Sequence, residues 1–126
     1  MSRHKHILVV DDDGDVRDVI VDILRSYNFC VSHAASGGLM HDSLETSDPI
    51  DCVVLDALMP GEPSGSLVLH LKEVGLPVVM ISGSDDVVEY AEKNGLQLLR
   101  KPFHMQELYD AVNTALASGE FGQREA

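Results

Sequence analysis

The feature that most constrains the fold is a set of short, unbroken apolar runs alternating with longer segments whose apolar residues recur every three or four positions. Ile7-Leu8-Val9-Val10, Cys52-Val53-Val54-Leu55 and Val78-Val79-Met80-Ile81 contain no polar residue at alternate places. A strand with one wet face needs that polar alternation, so runs without it suit strands covered on both faces. Between them, Val16, Val19, Ile20, Ile23, Leu24 and Tyr27 fall on one side of a helix, with Asp22 and Arg25 outside. Leu67, Leu71 and Val74 mark a further helix with Ser64 as its cap. Met105, Leu108, Ala111, Val112, Ala115 and Leu116 mark the last one. Residues 29–34 alternate more and read as a less buried strand. Ser36 is placed to cap the second helix, although Gly37 and Gly38 weaken it. Pro77 opens the fourth strand, where a missing N–H is tolerated. A short fourth helix over 85–93 stops at Gly95, and 96–99 form a brief final strand.

Five strand–helix pairs of this kind require right-handed crossovers and a parallel sheet with helices on both faces. The expected fold is α/β, an open doubly wound five-stranded parallel sheet of order 2-1-3-4-5, flavodoxin-like, with five helices. A length of 126 residues fits one domain, assigned to 1–118, with 119–126 as a loose tail.

Charge narrows the function. Nine basic residues against 21 acidic ones give a formal charge of −12, and phosphate backbones are bound by clustered Lys and Arg, so no nucleic-acid partner is expected. No apolar run approaches the ~20 residues that span a bilayer, and no signal peptide is evident; a cytoplasmic protein without a membrane partner is expected. Cys30 and Cys52 then read as free buried thiols. The six histidines, His4, His6, His33, His41, His70 and His104, lack paired ligand spacing and read as solvent-exposed.

In a sheet of this order the cleft lies beyond the carboxyl ends of the strands, where the order reverses. Asp11, Asp12 and Asp13 follow the first strand, Asp56 the third, Ser82 the fourth and Lys101 the fifth. Asp13 reads as a helix cap. Asp11, Asp12 and Asp56 would crowd one cleft, and three carboxylates repel unless a hard cation with oxygen ligands, such as Mg²⁺, joins them. A carboxylate nucleophile, a metal, a lysine and a hydroxyl together suit the spread charge of a transferring phosphoryl group. Singly each residue has an ordinary explanation as cap, turn or surface charge; their landing at one end of successive strands carries the inference.

The segments Ile7-Leu8-Val9-Val10-Asp11-Asp12, Val54-Leu55-Asp56-Ala57-Leu58-Met59-Pro60-Gly61, Pro77-Val78-Val79-Met80-Ile81-Ser82-Gly83 and Lys101-Pro102-Phe103 resemble the response-regulator receiver family, over essentially the whole chain. The resemblance implies that Asp56 is the phosphoacceptor, and that Asp12, Asp56 and the Leu58 carbonyl ligate Mg²⁺ directly, Asp11 largely through water. Ser82 would hydrogen-bond the phosphoryl oxygen, Lys101 would pair with it, and the bond before Pro102 would be cis. Three features depart from the family's pattern. Leu98 stands where the family has its aromatic switch residue, Glu62-Pro63-Ser64-Gly65 carries one residue more, and the stretch between Gly95 and Lys101 is one shorter. They bear on relay to the face of the fourth helix, last strand and last helix.

The resulting expectation is a single-domain response regulator of a bacterial two-component system. It would take its phosphoryl group from a sensor histidine kinase or histidine phosphotransfer protein and act by contact with a downstream protein or as a homodimer. It would not be an enzyme beyond its own phosphoryl transfer and slow autodephosphorylation. A receiver that works by contact whether or not it is phosphorylated is the competing reading. A dehalogenase-like phosphatase would want a second acid where Leu58 stands, and a topoisomerase–primase acid cluster would want a glutamate-bearing strand ahead of Asp11 and Asp13.

Overall fold

The computed structural model of the chain describes residues 4–46, 48–57, 64–84 and 86–125. Strands and helices alternate through them in the expected order: β1 His6–Val10, α1 Gly14–Ser26, β2 Cys30–Ala34, α2 Gly37–Thr46, β3 Cys52–Asp56, α3 Ser64–Glu73, β4 Val78–Ser82, α4 Asp86–Lys93, β5 Gln97–Arg100 and α5 Met105–Glu125. The strands form one parallel sheet ordered β2-β1-β3-β4-β5. β1 and β3 are neighbours in register, Val9 opposite Val54, so the order reverses between them as expected.

The unbroken apolar runs divide their side chains between two cores, because successive strand residues point to opposite faces. Ile7, Val9, Cys52, Val54, Val79 and Ile81 pack with Ile20, Val21 and Leu24 of α1 and Leu108, Val112, Ala115 and Leu116 of α5. Leu8, Val10, Val53, Leu55, Val78 and Met80 pack with Met40 of α2 and Leu67, Val68 and Leu71 of α3, with Val87 and Tyr90 of α4 against them. Each fully buried Leu, Ile or Val contributes roughly 1.5–3 kcal/mol. β1, β3 and β4 are buried at every position. β2, at the sheet edge, is mostly half-buried or exposed.

Caps agree with the sequence where the signal is local. The Ser36 hydroxyl accepts from Leu39 N–H at 3.2 Å, and Asp13 Oδ1 accepts from Asp15 N–H at 3.0 Å and Val16 N–H at 3.2 Å. α3 differs slightly, since its helical backbone starts at Ser64 itself. The short α4 begins at Asp86, and the expected start at residue 85 lies outside the described residues. Gly95 takes φ 67° as a helix stop.

Several expectations are corrected by tertiary packing. Cys30 is exposed because β2 is an edge strand, whereas Cys52 is buried; both are free. His6 is 93% buried rather than exposed. Its ring nitrogens contact Ser32 Oγ at 2.7 Å and the Pro49 carbonyl at 3.2 Å, which satisfies it inside the protein. His41 and His70, on α2 and α3, are half-buried and meet edge to face at 4.6 Å, while His4, His33 and His104 are exposed. Val19 faces outward, 56% exposed. The backbone of α5 runs from Met105 to Glu125.

Candidate functional site: an acidic cleft at the strand ends

The site is built on the last residues of β1, β3 and β4 and the residue after β5. Asp56 is the final residue of β3, lying opposite Ile81 of β4. It is 93% buried, on the boundary between the sheet interior and the cleft. Asp11 follows β1 directly and is 99% buried, while Asp12 beside it is exposed. Adjacency of β1 and β3 brings the three acids together, so that one carboxylate oxygen from each of Asp11, Asp12 and Asp56 lies within 4.8 Å of the others.

The β1–α1 turn fixes Asp11. Asp11 Oδ1 accepts from Asp13 N–H at 2.9 Å, an Asx-type closure that holds its carboxylate inward. Its other oxygen, Oδ2, is buried with no hydrogen-bond donor. A buried acceptor left in this way costs about 1–3 kcal/mol unless something positive or donating meets it. Burial pushes the Asp11 carboxyl up from 3.8 to about 6; the Asp13 amide opposes this, the neighbouring Asp56 charge adds to it, and Lys101 offsets a little. The folded chain therefore holds the Asp11 proton more tightly than a free carboxyl does, and carrying the charged form above about pH 6 costs stability.

Lys101 follows β5, and its Nζ lies 3.9 Å from Asp56 Oδ2, with about a third of its side chain exposed. That separation is a charge contact rather than a short hydrogen bond. The Lys101–Pro102 bond is cis, as the resemblance implied. Ser82, the final residue of β4, is 99% buried. Its oxygen accepts from Ser84 N–H at 2.9 Å, and its hydroxyl donates to the Ser84 carbonyl over a long 3.5 Å, which holds the hydroxyl at the carboxyl end of β4. Leu58 lies outside the described residues, as do 62 and 63 of the lengthened loop.

The donor set suits a hard divalent cation. All three groups are carboxylates, one buried oxygen lacks a donor, and the exposed Asp12 is free to adjust. The other histidines and cysteines add nothing to this cluster: among the described residues, these three acids are the one group of three or more metal-ligand types drawn together. Sequence reasoning missed Arg17. From the first turns of α1 its Nη1 donates to the Asp11 carbonyl at 2.8 Å; a lone arginine in an amphipathic helix gives no signal of such a reach.

Leu98, in β5, is half-buried and packs against the core beneath α2, α3 and α4. No helix among the described residues is long and apolar enough to cross a membrane.

Comparison with known proteins agrees with this geometry. Residues 7–113 match the response regulator receiver domain. The transcriptional regulatory protein TdiR of Thauera aromatica is 34% identical over 116 residues, covering 88% of this chain and 51% of that protein. FixJ of Bradyrhizobium diazoefficiens is 30% identical, with 95% and 60% covered, so the chain spans about half the length of the curated relatives it matches. Among solved structures, a response regulator receiver domain protein from Clostridium thermocellum superposes with a TM-score of 0.82 at 27% identity, covering 93% of this chain and 98% of its own. The receiver domain of NtrX from Brucella abortus gives 0.80 at 29% identity, with 89% and 98% covered. A match over most of the chain, a sheet ordered 2-1-3-4-5 and an acidic cleft at its switch point together place this chain in the response regulator receiver domain family.

Proposed function

We propose that Asp56 accepts a phosphoryl group from a phosphohistidine in a Mg²⁺-dependent reaction, and that the chain signals by protein contact. The observation that carries this reading is the position of Asp56, buried at the end of β3 with two further carboxylates within 4.8 Å and Lys101 at 3.9 Å. An Asp56 carboxylate oxygen attacks phosphorus as the P–N bond of the donor breaks. The imidazole leaves with the bond pair and takes up a proton, and an acyl phosphate forms on Asp56. Asp12 and Asp56, the Leu58 carbonyl and Asp11 through water would hold Mg²⁺, which when bound neutralises charge on the phosphoryl oxygens. Lys101 supplies a second positive charge near Asp56, and the Ser82 hydroxyl turns to donate to a phosphoryl oxygen. Burial of Asp56 and Ser82 lowers the local dielectric, so each of these contacts acts more strongly than in water.

The partners on this reading are a histidine kinase or histidine phosphotransfer protein upstream and a protein target downstream. Transfer of labelled phosphoryl from phosphorylated kinases tests it: the parent acquires label and Asp56→Asn does not. Equal labelling of the variant overturns the assignment. A second reading, contact independent of phosphorylation, is supported by Leu98, which replaces a ring with a packed aliphatic side chain on the relay face.

A further inference from the structure

Arg17 breaks two local rules. It is a cation near the N-terminal end of α1, where the helix dipole favours anions such as Asp15. Its Nε is also buried without a hydrogen-bond partner, a cost that folded proteins avoid. Departures of this kind concentrate where function constrains a residue. The guanidinium runs back along the helix to the β1–α1 turn, where Nη1 donates to the Asp11 carbonyl at 2.8 Å. It passes close to Gly14, where a Cβ would lie in ordinary contact with Nη2 at 3.6 Å. The carbonyl so held belongs to the peptide joining Asp11 to Asp12, the two acids that β1 contributes to the cleft. On the other side of the same turn, Asp13 N–H closes onto Asp11 Oδ1 at 2.9 Å.

We propose that Arg17 is a positioning residue, clamping the Asp11–Asp12 peptide so that both carboxylates face one cation; this rests on the reading of the cleft as a Mg²⁺ site. Arg17 touches neither the phosphoryl group nor the metal. It acts through the backbone that sets where two ligands stand. Charge and position make opposite demands here. As a bare positive charge beside a cation site, Arg17 opposes Mg²⁺, and its removal would tighten binding. As a clamp it lowers the cost of ordering the ligands, and its removal weakens binding.

The test uses Mg²⁺ alone, titrated calorimetrically into the parent, Arg17→Met and Arg17→Lys. Arg17→Met keeps the apolar length of the side chain and loses charge and donor. It is expected to bind Mg²⁺ about tenfold more weakly, with Arg17→Lys recovering part of the loss. Amide exchange gives a readout that general destabilisation does not imitate: the Asp13 amide exchanges about tenfold faster in Arg17→Met, while core amides such as Val54 are unchanged. Mg²⁺ binding as tight as the parent's or tighter, or an unaltered Asp13 amide, overturns the proposal. If Arg17→Met does not fold, Arg17→Lys is judged by the same two measurements with a smaller expected loss, and parent-like values there overturn it. A parent that shows no Mg²⁺ binding defeats the metal reading itself, while its Asp13 amide still reports whether Arg17 holds the turn.

Discussion

At φ 70° Asn28 occupies the left-handed region that closes α1, the place taken by Gly75 and Gly95 after α3 and α4. All three ends share one hydrogen-bond pattern. The N–H of the left-handed residue donates to a carbonyl three positions back, and the next N–H, of Phe29, Leu76 or Leu96, to one five back. The apolar residue then seals the helix end. Gly95 was readable as a stop because glycine needs no other reason to be there; Asn28 was not, since asparagine serves many turns. Asn28→Ala should cost about 1 kcal/mol, and Asn28→Gly should be neutral or stabilising, both measured by urea denaturation. Asp11 makes a second case at this scale. Its carboxyl is raised to about 6, so the folded state binds its proton more tightly than the unfolded chain does. The resulting penalty is absent at the lowest pH, grows between 3.8 and about 6, and is complete above. In metal-free buffer at neutral pH, Asp11→Asn should therefore be more stable than the parent, by on the order of 2 kcal/mol, and should respond less to Mg²⁺. Lower stability of the variant in chelator would show that the buried Asp11 charge is not costly.

Among the elements, the runs without polar alternation were the most legible, because only a strand covered on both faces tolerates them. β1, β3 and β4 are buried throughout, and the acids, serine and lysine that follow such runs were legible as a site for the same reason. What depended on neighbours was less so. Cys30 is exposed because β2 is an edge, and His41 meets His70 only because α2 and α3 cover the same core. Arg17 went unread since its purpose lies a turn away in space, at the Asp11 carbonyl. β5 carries the departure from the family's pattern. Leu98 is half-buried against the second core, and exposing a leucine forfeits up to about 1.5–3 kcal/mol. Phosphorylation should therefore change the β5 face modestly. Comparing oligomer mass and partner affinity with and without beryllofluoride should give less than about a tenfold change, equivalent to about 1.4 kcal/mol. A larger change would show that the relay works strongly through leucine.

For the whole molecule, the two cores hold β1 and β3 side by side in fixed register, and that adjacency is what converts residues far apart in the chain into one cleft. The two helical layers carry no residue of the acidic cluster; they fix the sheet whose edge does. Strand order was legible from element order and the handedness of crossovers, whereas the distances within the cleft required the fold. The central claim is that this cleft makes Asp56 a phosphoacceptor. Intact-mass measurement after incubation with a small phosphodonor tests it most directly, comparing Mg²⁺ with chelator and the parent with Asp56→Asn. One added phosphoryl group in the parent with Mg²⁺, and none with chelator or in Asp56→Asn, is the predicted result; a phosphoryl group that persists in Asp56→Asn would contradict it.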